Sequence, residues 1–101
     1  MRVVLTRHAA GDVAEACSHY AGIDPELGTR FADDVGAVIE RILMFPNGAP
    51  PVDGFDGLRR VRMRRFPYGF FYQHTDAGDL LIVRVLHSRR SLVTALDVEP
   101  G

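Results

Sequence analysis

The stretch from residue 24 to residue 48 leaves the chain the fewest choices. Asp24, Pro25 and Glu26 form a helix start. An aspartate side chain can accept from the first free N–H groups, proline loses nothing at the first helical position, and a glutamate in the first turn meets the positive end of the helix dipole. Leu27, Phe31, Val35, Val38, Ile42 and Phe45 then recur at intervals of four and three, a stripe sustained for about five turns. Arg30, Asp33, Asp34, Glu40 and Arg41 take the solvent side, and Pro46, Asn47 and Gly48 stop the helix. Such a stripe has to be buried against something the rest of the chain supplies.

Upstream, Val3, Val4 and Leu5 read as a short strand. Thr6 can cap a following helix whose Ala10, Val13, Cys17 and Tyr20 recur every three or four residues, and which is expected to end near Ala21 and Gly22 through a left-handed glycine. With so few residues between them, the two helices form an antiparallel hairpin offering one apolar face. Downstream, residues 46–57 are a loop rich in Pro, Gly, Asn and Asp, long enough to be a binding element or a mobile lid, with Val52 and Phe55 as anchors. Strand signals follow at 58–66, 68–74 and 80–87, separated by Pro67 and by the turn Asp76, Ala77, Gly78. The expected fold is α+β, in the order β-α-α-β-β-β, with the N-terminal helical hairpin packed on a curved, mainly antiparallel sheet. Residues 1–101 make one domain, and in the tail at 92–101 Leu92, Val93, Leu96 and Val98 can add a short packed element. One sheet face covers the hairpin, which leaves the other open to solvent or a ligand.

Charge narrows the function. Eight of the twelve arginines lie at 58–90 against Asp76 and Asp79, so that segment is formally +6 while the whole chain is −1. Such asymmetry points to a polyanionic or acidic partner, the plainer reading being a solvated sheet surface. Alternation along the second strand puts Arg60, Arg62 and Arg64 on one face and Val61 and Met63 on the other. All twelve basic residues are arginine, and there is no lysine. With 47% hydrophobic and 25% charged residues the chain is of ordinary globular composition, without a run near the roughly 20 apolar residues of a membrane span and without a signal-like N-terminus, so a cytoplasmic protein is expected. Cys17 has no partner for a disulfide and reads as a small core residue, with redox chemistry as the lesser reading. His8, His19, His74 and His87 show no zinc-ligand spacing, so neither a metal nor another cofactor is expected.

The string RFPYGFFY at 65–72, followed by LIVRVLHSRR at 81–90 behind a helical hairpin, resembles the RelE/ParE superfamily, the toxin halves of bacterial type II toxin–antitoxin pairs. The resemblance covers about residues 3–90, and its most specific parts are the Phe-Pro-Tyr hairpin and the Arg-Val-Leu-His with Arg90 three residues on. It implies the fold given above, a cognate antitoxin with an acidic or amphipathic C-terminal segment, and one of two targets. RelE-like members cleave messenger RNA in the decoding site of the ribosome. ParE-like members act on DNA gyrase without being nucleases.

Chemistry weighs between them. Cleaving RNA through its own 2′-hydroxyl needs a base, an acid and cations, and arginine supplies only the cations, because it does not give up its proton near neutral pH. His87, His74, Tyr68 and Tyr72 are left as proton carriers. His87 is either that chemical group or a structural ring that hydrogen-bonds the backbone and closes the sheet edge. Phe70 and Tyr72 supply core, with base stacking as the lesser reading, and Arg84 either reaches outward or pairs with an acid. Guanidinium groups suit gripping phosphate or carboxylate, and neutralising about six phosphates makes affinity fall roughly a thousandfold between 50 and 200 mM salt. The expected binding set, for target or antitoxin, is Arg60, Arg62, Arg64, Arg84, Arg89 and Arg90. A gyrase-binding toxin is the leading expectation. The alternative is a ribosome-dependent endoribonuclease using His87 or Tyr72 with Arg62, Arg64, Arg84 and Arg90, and a third reading is a toxin fold that has lost toxicity and only partners an antitoxin.

Overall fold

In the computed structural model, which describes residues 1–97, the elements run β1 (Val3–Leu5), α1 (Arg7–Ile23), α2 (Pro25–Met44), β2 (Arg59–Arg62), β3 (Tyr68–His74), β4 (Leu80–His87) and α3 (Leu92–Asp97). Val98, named in the expected packed tail, lies outside the described residues. The sheet is open and ordered β1-β4-β3-β2, with β1 parallel to β4 and the other pairs antiparallel. This is the expected α+β arrangement with one short helix added at its end.

Capping sets the helical hairpin. Thr6 Oγ1 accepts from the Ala9 N–H at 3.0 Å and donates to the Val83 carbonyl at 2.7 Å, so the first helix is capped and tied to β4 by the same hydroxyl. Asp24 closes α1 through its N–H to the Tyr20 carbonyl and opens α2 through its carboxylate to the Glu26 N–H, with Pro25 at the first helical position. The expected glycine stop is therefore replaced: α1 runs through Gly22, and no left-handed residue is needed because Asp24 caps both helices. On α1, Val13, Cys17 and Tyr20 pack against the core as expected, and only Ala10 of that stripe is off it. Ala10 is exposed, whereas Ala9 and Ala16 are buried, small residues where the helix lies closest to its neighbours. On α2, Phe31, Val35, Val38 and Ile42 enter the core as expected, but Phe45 caps the helix and is 62% exposed. The hairpin crosses tightly at Gly28, where a Cβ would stand 2.7 Å from Ala21 Cβ and 3.0 Å from Ala21 Cα.

The sheet departs from simple alternation in three places. β2 stops at Arg62 rather than continuing to 66, because Met63 and Phe66 both turn into the core. Phe66 reaches between the helices, its ring centroid 4.8 Å from Tyr20 and 5.0 Å from Phe31, and a pleated strand cannot bury residues three apart on one face. Between Phe71 and Tyr72 the register to β4 slips, pairing Phe71 with Arg84 and Tyr72 with Ile82 and leaving Val83 as a bulge. Finally, the sheet face away from the helices is not wholly open. Phe71, alternating with the core residues Phe70 and Tyr72, packs there with Leu86, Leu58, Leu92 and Ala95, so α3 and the loop before β2 cover part of it. That loop is strapped down, unlike a mobile lid: Arg60 N–H donates to the Pro50 carbonyl, Arg59 to the Asn47 and Ala49 carbonyls, and Val52 and Phe55 pack against the same second cluster.

Alanine is the better helix former by about 1 kcal/mol, yet at Gly28 the close crossing dominates, since overpacking costs about 1–3 kcal/mol. Gly28→Ala should lower the urea midpoint without changing the slope of the transition. A higher midpoint would show that the hairpin spreads at no cost.

Candidate functional site

Register builds an arginine-lined cleft on the outer face of the sheet. Arg60 stands opposite Phe71 and Arg62 opposite Gly69, which in turn pairs with Leu86, while Tyr68 stands opposite His87. With no side chain at Gly69, the stem of Arg60 lies over the strand, its Cδ 3.4 Å from where a Cβ would be. At the end of β4 the chain turns, with the Ser88 N–H on the Pro67 carbonyl and the Arg90 N–H on the His87 carbonyl, and this brings Arg90 to the rim. The cleft, about 210 Å³, is thus bordered by Arg60, Arg62, His87, Ser88 and Arg90 over a floor that includes Phe71 and Leu86.

Proton-transfer capacity in the cleft is small. His87 Nδ1 accepts from the Arg89 N–H at 3.1 Å, which leaves Nε2 as the ring nitrogen able to meet a ligand. The ring also packs edge-on against Tyr68, with centroids 5.3 Å apart. The Tyr68 phenol is pushed above its ordinary range, chiefly by partial burial and further by Tyr20, Glu15 and Asp12 nearby, so it keeps its proton at neutral pH and does not serve as a base. Three guanidinium groups can hold a phosphate or carboxylate here. A matched base and acid are not present among the cleft's described residues.

The other expected site residues lie elsewhere. Arg84 is buried, its Nε and Nη2 2.8 and 2.9 Å from the Asp12 carboxylate, which also accepts from the Val85 N–H at 3.0 Å. The bulge at Val83 is what lets two successive residues of β4 address α1 in this way. Tyr72 is fully buried on the helix side, its hydroxyl donating to the Pro46 carbonyl at 2.8 Å. Burial pushes that phenol up, with Arg59 and a hydrogen bond from the Ala49 backbone opposing. Arg64 joins Arg65, Arg41 and Asp34 at a separate depression beside α2, and Arg89 is exposed outside the cleft. His74 is held by Asn47 Oδ1 at 3.0 Å, at the opposite end of β3 from the cleft. Cys17 packs against the core and its thiol donates to the Gly28 carbonyl, as suits a small interior residue. Asp12 was not readable as a structural anchor, because its partner is 72 residues away and nothing in the helical pattern marks it.

Comparison with known proteins follows the same lines. A family model described as "ParE toxin of type II toxin-antitoxin system, parDE" matches residues 3–92. Among solved structures, a chain of the chromosomal ParDE TA system from P. aeruginosa superposes with a TM-score of 0.75 at 22% identity, covering 86% of this chain and 95% of that one. The isolated E. coli RelE toxin superposes with a TM-score of 0.64 at 17% identity, covering 97% of this chain and 95% of that one. No curated protein matches the sequence.

Two outcomes follow from this geometry. Removing one partner of a buried ion pair costs about 3–5 kcal/mol, so Asp12→Ala should lower the unfolding free energy by that order, against a fraction of it for the exposed Asp33→Ala. Equal losses in urea titrations would mean that the Asp12 clamp contributes nothing special. Three cleft arginines, in place of the six phosphate contacts counted from sequence, should make duplex DNA binding fall about fortyfold between 50 and 200 mM salt. Fluorescence anisotropy reads this, and a thousandfold fall would enlist arginines outside the cleft.

Proposed function

The chain belongs to the ParE toxin family of type II toxin–antitoxin systems, and we propose that it arrests growth by binding and poisoning DNA gyrase through the arginine cleft, without chemistry of its own. Family membership implies a cognate antitoxin. The observation that carries the gyrase reading is the composition of the cleft. Arg60, Arg62 and Arg90 converge on one concave surface, and the sole ring nitrogen open beside them is His87 Nε2. Guanidinium groups in this setting make charge-assisted, bidentate contacts to carboxylate or phosphate and exchange no protons. Gyrase in complex with DNA offers both kinds of anion. A cytoplasmic site of action goes with this target, and no helix among the described residues is long and apolar enough to cross a membrane.

The nuclease alternative has one supporting feature, the placement of His87 among cationic side chains. Within the cleft itself it has His87 alone as a base, since Tyr72 is buried on the other side of the sheet and Tyr68 holds its proton, while Glu15 and His19 border the adjoining depression that His87 and Arg90 also line.

Purified toxin added to gyrase should inhibit supercoiling and trap the cleaved-DNA complex. Arg62→Ala and Arg90→Ala should each reduce potency about tenfold or more, the effect of losing one charge-assisted hydrogen bond, whereas His87→Gln should change it little. Unaltered supercoiling at high toxin concentration would overturn the proposal. Codon-specific cuts in ribosome-bound messenger, lost on His87→Gln, would put the nuclease in its place.

A further inference from the structure

Beside the arginine cleft lies a second depression, of about 260 Å³, that an anion grip does not use. The two concavities share Tyr68, His87 and Arg90, and Asp12, Glu15 and His19 border the second one from α1. Those three residues recur at intervals of three and four, so they form a polar row along one side of the helix, over a floor of Ala16 and Val85. Within the row Asp12 is engaged, its carboxylate taken by Arg84 and by the Val85 N–H. Glu15 and His19 are exposed, and the Glu15 carboxylate has no ion pair or hydrogen bond among the described residues.

A pair of rings divides the two concavities. Tyr68 and His87 stand edge to face, with centroids 5.3 Å apart and planes at 78°. The Tyr68 hydroxyl has no hydrogen-bond partner among the described residues, so its proton is available to donate. Because His87 Nδ1 accepts from the Arg89 N–H, a neutral ring carries its hydrogen on Nε2 and can donate there. The depression thus offers a carboxylate acceptor, donors and flat aromatic surface, with three guanidinium groups one ring away. Aromatic surface with hydrogen-bonding groups holds an unpaired nucleobase, and cations alongside hold its phosphate.

We infer that cleft and depression form one site for an unpaired guanine nucleotide, its phosphate on Arg60, Arg62 and Arg90 and its base beside Tyr68 and His87, with Glu15 accepting from the base. The two oxygens of a carboxylate match the adjacent N1–H and N2 amino donors of guanine, a pair that adenine, cytosine and thymine do not present. In a duplex that edge is occupied by cytosine, so the site takes guanine only where the strand is open or the nucleotide is free. The phosphate half rests on the reading of the cleft as an anion grip; the base half is carried by the α1 row and the two rings.

Titration of the full chain with inorganic phosphate, GMP and IMP, followed by calorimetry and by amide and arginine Nε–H signals, tests the site. GMP should bind about tenfold or more tightly than phosphate, and by a similar factor more tightly than IMP, which lacks only the N2 amino group. It should shift signals at Glu15, His19 and Tyr68 as well as those of Arg60, Arg62 and Arg90. Glu15→Ala, at an exposed helix position, should bring GMP down to the level of IMP while moving phosphate affinity by no more than about twofold. Tighter binding of a thymidine strand carrying one guanine than of GMP would assign the site to single-stranded nucleic acid, and equal binding to the free mononucleotide; both support it. GMP no tighter than phosphate, no discrimination between GMP and IMP, or a duplex with the same guanine binding as well as the single strand would overturn it. Phosphate binding without any base preference would remove this site and leave the gyrase reading intact, and none of these readouts involves gyrase.

Discussion

One carboxylate joins the two halves of the molecule. Asp12, on α1, accepts from both the Nε and the Nη2 of Arg84 and from the Val85 N–H, all within 3.0 Å. The pair is almost fully removed from water, with side-chain exposures of 9% and 11%. Charges so placed need their partners, because neither can be solvated if the other leaves. The contact therefore fixes where α1 lies along β4, with the hydroxyl of Thr6 fixing the helix start nearly two turns earlier on the bulged residue Val83. From that register follow the path of α2, the crossing at Gly28, and the aromatic group of Tyr20, Phe31, Phe66 and Tyr68 that closes the end of the hairpin against the sheet.

The same contact shapes function by subtraction. An arginine committed to Asp12 is held out of solvent, so the cations of the cleft are those on β2 and beyond the end of β4. They gather because three local features agree: the pleat of β2 places Arg60 and Arg62 on the outer face, Gly69 opens room across the strand, and the turn after His87 brings Arg90 back over the edge. A cluster of guanidinium groups with so little proton-transfer capacity is better suited to gripping anions than to moving protons.

Much of this was legible beforehand. The Asp24-Pro25-Glu26 start, the α2 stripe, the Thr6 cap and the bounds of β3 and β4 are consequences of interactions within a few residues, and a sequence displays those directly. The likeness of the 65–72 and 81–90 strings to RelE/ParE toxins pointed to the family that residues 3–92 match. Alternation points to Arg60 and Arg62, the toxin-like string ending at Arg90 points to His87 and Arg90, and the fold brings those four to one cleft. Arg64 and Tyr72 are instructive in the opposite sense. Simple alternation carried Arg64 onto the basic face, but β2 ends before it because Phe66 is needed in the core. Tyr72 is the core residue its place in the aromatic string predicts, and its burial, with the hydroxyl donated to Pro46, removes it from the set the nuclease alternative would use.

The sequence by itself determined the elements, their order, their caps and the concentration of arginine in the second half, since each depends on neighbours along the chain or on composition. Tertiary structure decided which arginines are free. That choice depends on a bulge at Val83, which breaks the two-residue count, and on an acid 72 positions away that no periodicity links to Arg84. It also decided that the second sheet face is shared between an arginine-lined cleft and a small core under α3, because only the folded chain shows where Leu92 and Ala95 come to rest. Local patterns fix what a segment becomes; the partner of a buried charge is settled only when distant segments meet and water is excluded from between them.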